Sequence, residues 1–238
     1  MRKLKKTFLI LIASCIVLLG GCMMPDKEKG AGVIPYEQQL EAVQGAVGQF
    51  QEKTGGLLPI KTRDQDVDPF IKYPVEFSKI VPAYMEKIPS NAYETGGIYQ
   101  YVLIDVEDNP TVKLVDLHGP ERIRELNLRK GVSGHLPIEE MITSDVFKPN
   151  FSAMGLKEAP TVKSPYTSNE LPFVLSSDGN FYIDYTADLH QKLLEEDIQV
   201  EPGEDIRHIL YDDSPILPAY SLPYTVDEDG NPVFLDKK

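Results

Sequence analysis

Apolar residues recur every three or four positions from Tyr36 to Phe50. Tyr36, Leu40, Val43, Val47 and Phe50 form one stripe, with Gln38, Gln39, Glu41, Gln44 and Gln49 mostly off it. A period near 3.6 predicts an amphipathic helix. Thr54-Gly55-Gly56 ends it, because glycine accepts the left-handed conformation that closes a helix. The stripe reads as the face that covers the domain's own sheet, with a partner-binding face as the alternative. Beyond Leu57-Leu58-Pro59-Ile60 and an acidic loop, Arg63 to Asp68, the spacing of Phe77, Ile80, Val81, Tyr84 and Ile88 predicts a short helix stressed at Pro82. Ile98 to Glu107 and Thr111 to Leu117 are rich in β-branched and aromatic residues, and Asp108-Asn109-Pro110 joins them, which predicts an antiparallel hairpin.

Glu121 to Arg129 fits a helix or a strand. Pro137 is expected to open a helix carrying Ile138, Met141, Ile142 and Val146 at helical spacing. Phe151 to Pro172 holds three prolines and no sustained period. Pro172 to Tyr185 is the clearest hairpin, turning at Ser177-Asp178-Gly179-Asn180. A helix burying Leu189, Leu193 and Leu194 follows, and Pro202 is expected to open another with Ile206, Ile209 and Leu210. Asp212 to Lys238 has four prolines and a turn signal at Asp229-Gly230, and reads as an extended strap or a frayed tail. Because these elements do not alternate as βαβ units, the expected class is α+β, an N-terminal amphipathic helix packed on antiparallel sheet. A division into two small lobes, 36–150 and 165–238, is a further reading.

The first 21 residues carry a different pattern. Arg2, Lys3, Lys5 and Lys6 precede a short apolar run, Thr7 to Leu19, and then Leu19-Gly20-Gly21-Cys22. A spanning helix needs about 20 apolar residues, so the run has the length of an export signal rather than an anchor. These residues resemble the signal and lipobox of bacterial lipoproteins. The resemblance implies cleavage between Gly21 and Cys22, a lipid attached to the Cys22 sulfur, and a place on the extracytoplasmic face of the cell membrane. Residues 1–21 are then signal peptide, 22–35 a lipidated cysteine with a flexible tether, and 36–238 the extracytoplasmic domain. Two acyl chains bury many methylenes at about 0.8 kcal/mol each, enough for stable attachment.

Two further resemblances concern the domain. Thr54-Gly55-Gly56, Leu58-Pro59, Pro82 to Pro89 and Gly97-Ile98-Tyr99-Gln100-Tyr101 succeed one another much as a helix, a turn and a Tyr-x-Tyr strand do in pseudopilins. That similarity covers about a quarter of the chain and implies only a helix packed on antiparallel sheet, since the long apolar filament helix is missing. Phe77-Ser78-Lys79-Ile80-Val81-Pro82 and Asn91-Ala92-Tyr93-Glu94 resemble uncharacterised lipoproteins of spore-forming bacilli, which implies a Gram-positive source and supplies no activity.

Removing the signal takes away four basic residues and no acidic ones, leaving 20 basic and 37 acidic residues, a formal charge of −17. Such acidity disfavours nucleic acid, whose phosphates demand a basic footprint, and disfavours flat adsorption on anionic lipid. Of the two cysteines, Cys15 leaves with the signal and Cys22 is consumed by lipid. The mature domain therefore has no thiol for disulfides, cysteine nucleophiles or cysteine-ligated zinc.

The remaining candidates for chemistry are weak. His118, His135, His190 and His208 are scattered, with no H-E-x-x-H. Gly131-Val132-Ser133-Gly134-His135 has histidine where a nucleophile elbow needs its last glycine. Asp64-Gln65-Asp66-Val67-Asp68 starts like a calcium loop, but Pro69 and Val75 stand where glycine and glutamate belong. Asp227-Glu228-Asp229-Gly230-Asn231 is a similar partial match. Twelve tyrosines could line a glycan or peptide groove, although Tyr99, Tyr101, Tyr182 and Tyr185 fall in expected strands, where sheet packing suffices. No catalytic residue, metal site or cofactor is assigned. The expected role is a tethered, non-enzymatic binding or accessory protein with an unknown protein, peptide or glycan partner at the envelope. The alternatives are a solute-binding component of an ABC-type importer and a wall hydrolase using two close carboxylates, one with a raised pKa.

Overall fold

The structure is a computed structural model and describes residues 36–61, 63, 67–133, 135–196 and 198–235. The expectations for Gly21 and Cys22, and the calcium-like residues Asp64 to Asp66, lie outside these residues. Helix α1, Tyr36–Thr54, follows the apolar stripe and buries Val43, Ala46 and Val47. Gly55 and Gly56 have φ of 73° and 100°, and Gly56 N donates to Gln51 O, so the glycine stop works as the sequence implies.

Strands β1, Tyr99–Ile104, and β2, Thr111–Asp116, form the expected antiparallel hairpin, with Tyr101 opposite Leu114. Both faces are covered. Tyr101, Leu103, Val112 and Leu114 pack with α1, while Val102 and Val115 pack with Phe70, Ile71, Leu217 and Ala219. Two-sided burial explains why β1 is almost continuously apolar instead of alternating. Two of the α1 glutamines placed off the stripe in fact face inward. Gln44 accepts from Val112 N and donates to Pro110 O, and Gln39 accepts from Asn91 N and Ser90 Oγ. Their amides satisfy backbone groups that an aliphatic side chain would leave orphaned.

Helix α2, His118–Ser133, resolves the ambiguous segment and buries Ile123 and Leu126. The helix expected from Pro137 is instead a strand pair, β3, Ile138–Met141, and β4, Val146–Pro149. Ile138 and Met141 are three apart, a helical spacing, but a β-bulge between Ile138 and Glu140 absorbs the odd residue. Thr143-Ser144-Asp145 then turns the chain, with Asp145 N donating to Thr143 Oγ1. Strands β7, Phe173–Ser176, and β8, Phe181–Ile183, complete an antiparallel sheet of order β3-β4-β7-β8. Between the two pairs, β5, Val162–Lys163, and β6, Glu170–Leu171, form a small hairpin of their own.

Helix α3, Thr186–Glu196, buries Leu189 and part of Leu193, but Leu194 is 71% exposed. Five residues beyond Leu189, it turns off the buried face. Pro202 sits in a turn, and the helix near it, α4, spans only His208–Tyr211, while Ile206, Ile209 and Leu210 are buried as expected. The stretch expected to be helical around Pro82 holds one 3-10 turn, Phe77–Lys79, followed by turns.

The C-terminal segment is a strap. Leu217 N donates to Leu114 O and Leu114 N to Pro215 O, which adds residues 215–217 beside β2. A few residues later Ile183 N donates to Tyr220 O, so the same segment also borders β8. The chain ends in the hairpin β9, Tyr224–Val226, and β10, Pro232–Phe234. These antiparallel sheets and helices make an α+β fold.

Buried tyrosines set an alkaline limit. Burial pushes Tyr101 and Tyr182 up to about 12, and Tyr166, Tyr185 and Tyr224 higher. A phenol whose pKa rises on folding stabilises the native state below its unfolded value, about 10. That contribution is lost as pH climbs through the folded value. The buried phenols, Tyr101, Tyr185 and Tyr224, are expected to stay protonated above pH 10 and to ionise together with unfolding in strong alkali. Phenolate absorbance and far-ultraviolet circular dichroism, followed in one alkaline titration, should move together.

Candidate functional site

His118 opens helix α2 directly after β2, and Asp116 holds it there. Asp116 Oδ1 accepts from His118 N at 2.9 Å and lies 2.8 Å from His118 Nδ1. A carboxylate against Nδ1 orients the ring and turns Nε2 away from Asp116. The imidazole is 56% exposed.

Two adjoining depressions meet at His118 and Glu121. The larger, about 630 Å³, is lined by Asp116, Arg122, Glu125 and Thr161 to Ser164, which include β5. The smaller, about 250 Å³, is lined by Tyr93, Gly96, Gly97, Ile98 and Leu117. One side of the histidine is charged and the other is aromatic and aliphatic. The floor of the apolar side requires glycine, since a Cβ on Gly97 would lie 2.1 Å from the backbone carbonyl of Asn91.

The charged side is largely pre-paired. Arg122 Nη1 donates to Glu125 Oε2 at 2.5 Å, and Arg129 donates twice to Glu125 Oε1. These guanidinium bonds, Arg122 first, hold the Glu125 carboxyl below its ordinary range. A general acid requires the opposite direction. Among the described residues the carboxyl that burial raises is Asp68, which accepts from Phe70 N and Tyr220 N and does not line the groove.

The two hydroxyls in the larger depression are already engaged. Thr161 Oγ1 donates to Glu170. Ser164 Oγ donates to the fully buried Asp188 at 2.6 Å and accepts from Tyr166 N and Thr167 N. With these groups engaged, what the groove leaves open is the exposed His118 imidazole, the Lys163 side chain and the exposed Tyr93 ring.

Residues 36–116 match the model of the YphF family N-terminal domain. The YphF-type segment comprises α1 through β2 and ends on Asp116, the residue that orients His118. It contains Phe77 to Pro82 and Asn91 to Glu94, and the match is compatible with an uncharacterised protein of bacilli. The groove straddles its boundary, since Tyr93 to Ile98 lie inside and α2 and β5 outside. No curated protein and no solved structure matches the chain.

Of the four histidines, only His118 lines the groove. His190 borders a separate depression with Asn169, Asp184 and Asn231, and His208 Nδ1 contacts Asp205 O. Gly131 to Ser133 are the last residues of α2 rather than an elbow between strand and helix. Asp227 forms the β9–β10 turn by accepting from Asp229 N and Asn231 N. Among the described residues no group of three or more His, Cys, Asp or Glu could hold a metal ion. Asp116-Leu117-His118 and Tyr93-Glu94-Thr95-Gly96-Gly97 are the sequence signals that could have pointed here, but neither phrase is among the candidate sites read from the sequence. Nothing there indicated that they share one groove with Lys163.

Proposed function

We propose that the chain is a lipid-anchored, extracytoplasmic binding or accessory protein of the cell envelope, and that its ligand, an extended peptide or glycan, lies in the groove around His118. Support for the location is the run Leu19-Gly20-Gly21-Cys22 behind a basic end and a short apolar stretch. Among the described residues no helix is long and apolar enough to cross a membrane. The observation that carries the binding reading is the convergence of an exposed tyrosine, a glycine floor and an oriented imidazole beside ionic side chains.

A photo-crosslinking amino acid at Tyr93 in the full chain, activated in intact cells, should form a discrete adduct with an envelope component. The same probe at Leu194, exposed on α3, should not. Absence of an adduct at position 93, or an identical adduct from position 194, would contradict the groove as the binding surface.

A further inference from the structure

Strand β3 is the outermost strand of its sheet, and all four of its residues are exposed. It stands out as a flange whose outer edge pairs with no strand among the described residues. Such an edge is a template for another chain, and its shortness, its bulge and its two glutamates guard it against unselective pairing, leaving a partner matched in charge and face.

The bulge sorts the side chains of this flange. Ile138 and Met141 are in register with Pro149 and Phe147 of β4, whereas Glu140 is in register with Lys148. Alternation along a strand then puts Ile138 and Met141 on one face and Glu140 on the other. Glu139, the bulged residue, sits 3.4 Å from Lys148 and so joins the Glu140 face. Without the extra residue, two positions three apart would point to opposite faces. The apolar face is open to solvent, with Ile138 42% and Met141 66% exposed, and exposed Leu136 and Ile142 flank the strand.

We propose that the outer edge of β3 is a docking strand for an extended partner segment in which basic and apolar residues alternate. Backbone hydrogen bonds to the edge would supply affinity, and the two faces would supply selectivity. Apolar side chains of the segment meet Ile138 and Met141, and its basic ones meet Glu139 and Glu140. A second copy of this chain is the wrong occupant. Antiparallel pairing of two β3 strands centred on the strand sets Glu139 opposite the second copy's Glu140 twice, and like charges directly opposite are destabilising. The chain's net charge of −13 likewise favours a basic partner over itself. The edge does not belong to the groove lining, so this inference stands or falls separately from the function proposed above.

Hydrogen exchange of the full chain in detergent, read by mass spectrometry, tests it with a synthetic ten-residue peptide of alternating lysine and valine. Amide exchange across Ile138 to Ile142 is expected to slow by about tenfold at saturating peptide. The protection should vanish when alternate peptide nitrogens are methylated, and should weaken in the double variant Glu139→Gln, Glu140→Gln. These substitutions are at exposed positions, and circular dichroism would verify that the fold is kept. Three results would overturn the proposal: no protection of β3, equal protection by an alternating glutamate–valine peptide, or concentration-dependent protection without peptide, which would make a second copy the occupant.

Discussion

Replacing Asp188 by alanine is expected to destabilise the domain by about 3–5 kcal/mol, from three hydrogen bonds lost in a fully buried site. Asp188 Oδ2 accepts from Ser164 Oγ, and Oδ1 accepts from Thr167 Oγ1 and Asn169 Nδ2. Each hydroxyl then accepts backbone N–H groups of the same loop, from Tyr166, Thr167 and Asn169. One carboxyl on α3 thus organises the connection between β5 and β6. Denaturant unfolding would measure the loss. Asp188→Asn should fall between wild type and alanine, because an amide has one accepting oxygen in place of two. Since Thr161 to Ser164 form one wall of the groove, the alanine variant should also weaken ligand capture at that wall. A loss below about 1 kcal/mol would show that the loop holds itself without Asp188.

The second large effect is expected at Leu114. Its side chain is fully buried against α1, and both its backbone N–H and its C=O bond to the strap. Leu114→Ala should cost about 3–5 kcal/mol through lost transfer energy and the cavity left behind. Leu194→Ala, at a leucine expected to be buried on its helix but largely exposed, should change stability by less than about 0.5 kcal/mol. The pair of measurements separates burial from composition. Comparable losses at both sites would contradict the placement of α3.

Much of this architecture was legible where pattern and burial coincide. The α1 stripe, the β1–β2 hairpin and the Ser177 to Asn180 turn follow local rules that tertiary structure leaves alone. The helix expected at Pro137 failed because a bulge can present residues three apart on one strand face, and single-sequence periodicity has no term for that. Leu194 failed because Leu193 already completes the buried face and apolar residues are tolerated outside it. Gln39 and Gln44 fall off the apolar stripe yet face inward, because polar type, not partner, is what a sequence displays. The groove was hardest to foresee. Tyr93, His118 and Lys163 are distant in sequence, and β1, α2 and β5 bring them together through pairings that no spacing encodes.

The lipid anchor is the premise on which the envelope role depends, and intact mass spectrometry of the polypeptide from membranes tests it directly. The expected species begins at Cys22 and carries a diacylglyceryl group on the sulfur. A chain that retains residues 1–21, or one that starts at Cys22 with a free thiol, would contradict the anchored role.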